Sequence, residues 1–251
     1  MDSAQTILNQ TIIMLILIVT GIICKKTNII SETGNKDLSK LVLNVVNPIV
    51  ILMAYQTDYK PYLVKNLLIS FALSVLSYAV FITAAYILIP AKENRETSIE
   101  RFSAIYSNCG FMGIPLVDAI FGFEGVFYLT AFITTFNLFV WTHGVILISG
   151  EKQLKNIAKI FYSPVIISIA LGIIMFFFQI RMPENPTKAL DFIASLNTPL
   201  AMIVSGVTIA DTNVIALIKK VRIYYICLLK LILIPVIVTV IFAFFNINEC
   251  V

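Results

Sequence analysis

Charge is scarce in this chain. Asp, Glu, Lys and Arg together make up 13% of its 251 residues, while hydrophobic residues make up 59%; soluble domains carry roughly 25% charged residues. With a mean hydropathy of +0.94, the sequence has too much apolar surface to bury in a water-facing globule, which excludes a soluble domain. Histidine occurs once, at His143. With so few carboxylates in the apolar runs, no Ser/His, paired-acid or metal-ligand constellation assembles, which disfavours an intramembrane enzyme and implies neither cofactor nor metal. Cys24, Cys109, Cys227 and Cys250 are scattered without the spacing of a disulfide framework or a metal site, and read as small buried hydrophobes. A Walker-type glycine loop with its lysine is missing, so nothing suggests ATP use. The formal excess of +4 is spread over short loops and forms no basic patch, so nucleic acid is not expected as a partner. There is no low-complexity stretch, and no linker long enough to separate independent domains.

What is present is a series of apolar runs of spanning length. Eight lie near 7–24, 38–55, 63–89, 102–121, 125–149, 160–180, 189–210 and 221–245. The first is not a cleavable signal, because its leader MDSAQT is acidic and Lys25 and Lys26 follow it as a stop-transfer would. With eight spans, the loops after the first, third, fifth and seventh share one side. They hold thirteen lysines and arginines against four on the other, Lys60, Lys65, Arg181 and Lys188. That asymmetry places the first group in the cytoplasm and the N-terminus outside. The expected class is an all-α polytopic membrane protein with the lipid bilayer as its surroundings.

The fourth run, FSAIYSNCGFMGIPLVDAIF, is interrupted by Gly110, Gly113 and Pro115 beside Asn108 and Cys109. Two glycines and a proline within six residues remove helical hydrogen bonds. In hydrocarbon such a break is tolerated only against protein or a water-filled cavity, and broken helices near mid-membrane are where secondary transporters hold solute. A half-helix starting at Pro115 would aim its free amides, and roughly half a positive charge, into the break. Gly110 and Gly113 would admit close approach, and Asn108 can hold a carboxylate without a permanent charge. These features describe a site for a small organic anion; the alternative is a Gly-rich helix crossing with no ligand.

A weak internal repeat is also visible. NVVNPIVILMAY (44–55) aligns with SLNTPLAMIVSG (195–206) when Pro48 meets Pro199, an offset of 151. An odd number of spans separates the pairs, so the halves would have opposite orientation in the membrane. This divides the chain into a first five-helix repeat over 1–149, a cytoplasmic linker over 150–159 and an incomplete three-helix repeat over 160–251. A partner for the broken run would begin beyond Val251.

The segment SNCGFMGIPL (107–116) resembles the Asn-x-Gly-Phe-Met-Gly-x-Pro signature of the auxin efflux carrier family, which includes malate- and malonate-permease-like proteins. The resemblance implies a ten-helix fold of two inverted five-helix repeats, similar to bile-acid symporters and sodium/proton antiporters, here without the last two helices. It implies that helices one, two, six and seven form a scaffold and that the rest move as a transport domain. It also implies a homodimer through helices two and seven, residence in the cell membrane, and alternating access for a carboxylate such as malate, with proton or sodium as candidate coupling ions. The site carried over is Asn108, Cys109, Gly110, Gly113, Ile114 and Pro115, with Asn47 and Asn197 facing it from the scaffold. The competing function is a truncated, non-transporting scaffold or assembly subunit.

Further residues are candidates by being polar inside an apolar run. Lys230 can compensate an anion's charge or snorkel to an interface. Asn137 and Thr135 can line a cavity or bond between helices. Asp118 can take up a proton or merely cap a turn at Gly122–Glu124. His143 can couple protons or pack through hydrogen bonds. Tyr224 and Tyr225 read as interfacial anchors.

Overall fold

The computed structural model describes residues 3–90, 95–150 and 162–243, and all regular structure among them is helical. Six helices are long and apolar enough to cross a membrane by length and composition, and Pro164–Phe177 is a shorter apolar helix. The helices are α1 (Ser3–Lys26), α2 (Glu32–Leu41), α3 (Asn47–Ala54), α4 (Pro61–Leu88), α5 (Arg95–Ile105), α6 (Ile114–Phe139) and α7 (Val145–Ser149). They continue as α8 (Pro164–Phe177), α9 (Glu184–Ser195), α10 (Asn197–Ala210), α11 (Val214–Ile218), α12 (Val221–Leu228) and α13 (Ile234–Ala243). Residues 151–161, which include most of the expected linker, and the basic residues Lys92, Lys152, Lys155 and Lys159 lie outside the described residues, as does Cys250.

Four five-residue π-turns interrupt these helices, at Val42–Val46, Cys109–Gly113, Val140–Gly144 and Leu229–Leu233. Three of them end two residues before a proline, at Pro48, Pro115 and Pro235. The bonding explains the pairing. Proline inside a helix lacks its N–H and drives its ring into the carbonyl four residues back. Here the residue before the proline reaches one peptide further: Asn47 N–H donates to Val42 O, and Ile234 N–H to Leu229 O. The widened turn moves the offending carbonyl aside, so the helix continues through the proline.

The chain forms two compact units. The first holds residues 1–60, 108–130 and 162–214, the second 61–107, 131–161 and 215–251. The units cut across chain order, and the described helices of the first, second, sixth and seventh apolar runs fall in the first unit.

In the first unit, α1 lies along α10 in its most extensive helix contact, and α3 packs on α8. Without a hydrophobic drive between helices in lipid, association relies on close backbone approach at small residues. Gly21 and Gly206 supply it: a Cβ at Gly206 would overlap the Ile18 carbonyl and lie 3.0 Å from Gly21 Cα, and one at Gly21 would overlap the Ile203 carbonyl. On the other pair, Gly172 of α8 presses against the Tyr55 ring. A shift of 151 residues turns Gly21 into Gly172 and Tyr55 into Gly206, so one contact maps onto the other. Tyr55 is buried, donates to Thr130 Oγ1 at 2.6 Å and stands 4.8 Å from the Phe127 ring; Thr130 Oγ1 in turn donates to Phe127 O at 2.7 Å. Lys25–Asp211 (2.8 Å) and Arg181–Asp58 (2.6 Å) tie loop ends together.

The second unit is built around Tyr78, whose ring stacks on Phe139 at 5.1 Å and tilts against Phe132 at 5.4 Å, with Ala85, Ile89, Ile105 and Leu229 buried around it. Two hydroxyls on α4 are satisfied within their own helix, Ser74 bonding Ser70 O (2.6 Å) and Ser77 bonding Leu73 O (2.8 Å), a local solution suited to hydrocarbon.

Candidate functional site

The fourth run is broken, although not where its glycines and proline suggest. Helix α5 stops at Ile105, residues 106–108 are non-helical, and the chain re-enters helix at Cys109 through the π-turn to Gly113. The expected start at Pro115 is therefore corrected. Pro115 is the second residue of α6 and is carried through by the π-turn, so the half-helix begins six residues earlier. Asn108 stands at its head and its carbonyl accepts from Met112 N at 3.3 Å, a position where asparagine is favoured. The turn that ends this segment is Gly122, with φ of 62° and ψ of −159°, a conformation open to glycine and strained for other residues.

The division between the two units falls within the break, after Ser107. Asn47, Asn108, Cys109, Gly110, Gly113, Ile114, Pro115 and Asn197 belong to the first unit, and Asn137 and Lys230 to the second. In the first unit the π-turn Cys109–Gly113 packs on α10, which Asn197 opens. Cys109, Ile114 and Pro115 are buried. A Cβ on Gly110 would lie 3.1 Å from Asn47 Nδ2, so glycine is what lets the backbone meet this carboxamide, whereas one on Gly113 would meet only Cys109 Cβ at 3.6 Å. Asn47 is 2% exposed and Asn197 4%, and neither Oδ1 finds a hydrogen-bond partner among the described residues. A buried carboxamide oxygen without a partner costs roughly 1–3 kcal/mol. Each of the two stands within two residues of a proline, in a different helix.

In the second unit Lys230 sits inside the π-turn Leu229–Leu233 and reaches the end of α5, donating to Ser103 O at 2.6 Å and Tyr106 O at 2.7 Å. Asn137 does not reach across helices; its Nδ2 donates to Ile133 O, one turn back on its own helix, at 2.8 Å. Thr135 is buried and likewise donates to its own helix, at Ala131 O (2.9 Å). His143 sits between two tyrosines, with Nδ1 2.9 Å from Tyr106 Oη and Nε2 3.3 Å from Tyr86 Oη. Because Tyr106 O–H is committed to Phe139 O at 2.9 Å, Nδ1 carries the proton donated to Tyr106, and Nε2 accepts from Tyr86. That is the packing role rather than a bare proton site. Asp118 is exposed. Tyr224 is exposed as an anchor would be, whereas the half-buried Tyr225 donates to Leu88 O at 2.6 Å and holds two helices together. Of the cysteines, Cys109 is buried but Cys227 is exposed, so burial does not explain all of them. Among the described residues no group of three His, Cys, Asp or Glu could hold a metal ion.

A helical membrane bundle with a broken helix and buried carboxamides at its prolines is the architecture of a membrane transporter. The family model described as "Membrane transport protein" matches residues 6–251, and the chain belongs to that family, the auxin efflux carriers that SNCGFMGIPL resembles. An uncharacterized transporter of Methanothermobacter thermautotrophicus is 25% identical over 214 residues, which are 83% of this chain and 68% of that protein. Tyr55, Thr130 and Tyr106, the partner of His143, are the residues that sequence reasoning missed. Their only signal is hydroxyl-bearing residues in otherwise apolar runs.

Proposed function

We propose that this chain is a secondary transporter of a small organic anion, a carboxylate such as malate, working by alternating access in the cell membrane. The observation that carries the reading is the start of the half-helix at Cys109–Gly113, headed by Asn108 and abutted at Gly110 by a buried Asn47 whose oxygen is unpaired. A helix N-terminus favours a negative group. Carboxamide N–H groups suit a carboxylate, and the unpaired Asn47 Oδ1 suits the hydroxyl of a hydroxy acid or the proton of a half-neutralised diacid.

Orientation with the N-terminus outside rests on the charge asymmetry, and the ion pairs support its grouping of the loops by side. Lys25–Asp211, Arg181–Asp58 and Arg222–Glu100 each join loops that the charge asymmetry assigns to one side of the membrane. The matching contacts at an offset of 151 support an inverted repeat. A homodimer through the second and seventh helices, and coupling to protons or sodium, complete the proposal on the strength of the family resemblance.

The test is flux of labelled malate and malonate into proteoliposomes under imposed proton and sodium gradients. We expect uptake by the parent chain and its loss in Asn108→Ala at unchanged expression. Undiminished flux in that variant removes Asn108 from the site. Absence of flux for every acid and gradient overturns the transporter reading in favour of a scaffold or assembly subunit.

A further inference from the structure

The end of α5 poses a problem that the anion site does not address. A helix that stops inside a membrane leaves its last carbonyls without partners and carries about half a negative charge there. Broken-helix transporters place sodium or a proton against such carbonyls. In this chain the place is taken by a side chain: Lys230 Nζ lies 2.6 Å from Ser103 O and 2.7 Å from Tyr106 O. We infer that these carbonyls form a monovalent-cation subsite permanently filled by the tethered ammonium of Lys230, so that this end of the break needs no free sodium or potassium.

Three further observations fit. No carboxylate pairs with Lys230 among the described residues, so the peptide oxygens are what its charge answers to. Lys230 sits in a π-turn, whose extra residue alters the direction in which its side chain leaves the helix. The helix carrying it is pinned to the second unit beside α5. Arg222 makes a two-pronged pair with Glu100 of α5 at 2.7 and 2.8 Å, and Tyr225 O–H bonds Leu88 O. The ammonium is thereby held at fixed reach, as a bound ion would be, and this reading stands whatever anion the first unit takes.

The test uses the full chain in nanodiscs, unfolded thermally in sodium, potassium, ethylammonium or choline chloride at equal ionic strength. With the subsite already filled, the parent protein should unfold at one temperature in ethylammonium and choline. Lys230→Ala should unfold roughly 5 °C lower in choline and recover, saturably, in sodium or ethylammonium. Lys230→Gln, whose amide still donates to a carbonyl, should fall between and keep the sodium response, whereas Lys230→Arg should stay indifferent. A parent protein stabilised by ethylammonium over choline overturns the inference. So does a Lys230→Ala variant that is as stable as the parent or is rescued by no cation, or failure of both neutral variants to fold in sodium.

Discussion

Replacing Gly206 by alanine should weaken the first unit, and the structure sets the size of the effect. The added Cβ would overlap the Ile18 carbonyl and come within 3.0 Å of Gly21 Cα, both backbone atoms that no rotamer change can move. Helices α1 and α10 would have to separate by on the order of 1 Å, which forfeits a quarter to a half of the dispersion energy along the seam. In lipid no hydrophobic gain compensates. Overpacking of this kind costs about 1–3 kcal/mol, offset by at most about 1 kcal/mol of helix propensity gained over glycine. The net loss of about 1–2 kcal/mol should lower the unfolding temperature in detergent by roughly 4 °C. Gly21→Ala meets the Ile203 carbonyl in the same seam and should behave alike. The double variant should cost less than the two singles together, because the second methyl enters a gap already opened. Gly113→Ala, whose Cβ meets only Cys109 Cβ at 3.6 Å, is the control and should leave the unfolding temperature unchanged or slightly raised. A Gly206→Ala protein as stable as the parent would refute the reasoning.

The other expectations are briefer. Asn47→Leu removes a buried oxygen that has no partner, so thermal stability should hold while malate flux drops at least about tenfold, the separation expected of a site residue; a large loss of stability with flux intact would contradict it. In a background with Cys24, Cys109, Cys227 and Cys250 replaced by alanine, Thr33→Cys should react with a membrane-impermeant maleimide only from the cytoplasmic face, and Lys60→Cys only from outside. The reverse pattern would invert the topology.

Much of the helical layout was legible in the sequence because spanning helices are set by length and hydropathy, which a single chain displays openly. Most of each apolar run is helical over its described residues, six helices among them have spanning length where eight runs were read, and the interruption of the fourth lies close to its glycines. Its restart was misplaced because proline was read as a beginning. A π-turn leaves no mark in hydropathy, and only the recurrence of a residue–proline step deep inside a run (Asn47-Pro48, Ile114-Pro115, Ile234-Pro235) hints that these helices run through their prolines. Asn47 and Gly110 were both singled out, but their contact depends on how two distant segments fold together. The partners of Lys230 were hidden for the same reason: they are peptide oxygens, which every residue possesses and no sequence pattern advertises. Asn137 shows the opposite failure. A polar side chain in an apolar run invites a functional role, and this one is satisfied by its own helix.

The π-turns ahead of Pro48, Pro115 and Pro235 make these helices intolerant of small changes in length. A π-turn absorbs one extra residue within a single turn, so deleting any one residue of Leu229–Leu233 would restore ordinary helical winding and leave α13 facing much as before. The proline ring would collide again with the carbonyl beneath it. Single-residue deletions should therefore be far more harmful within these three segments than at the loop between α3 and α4.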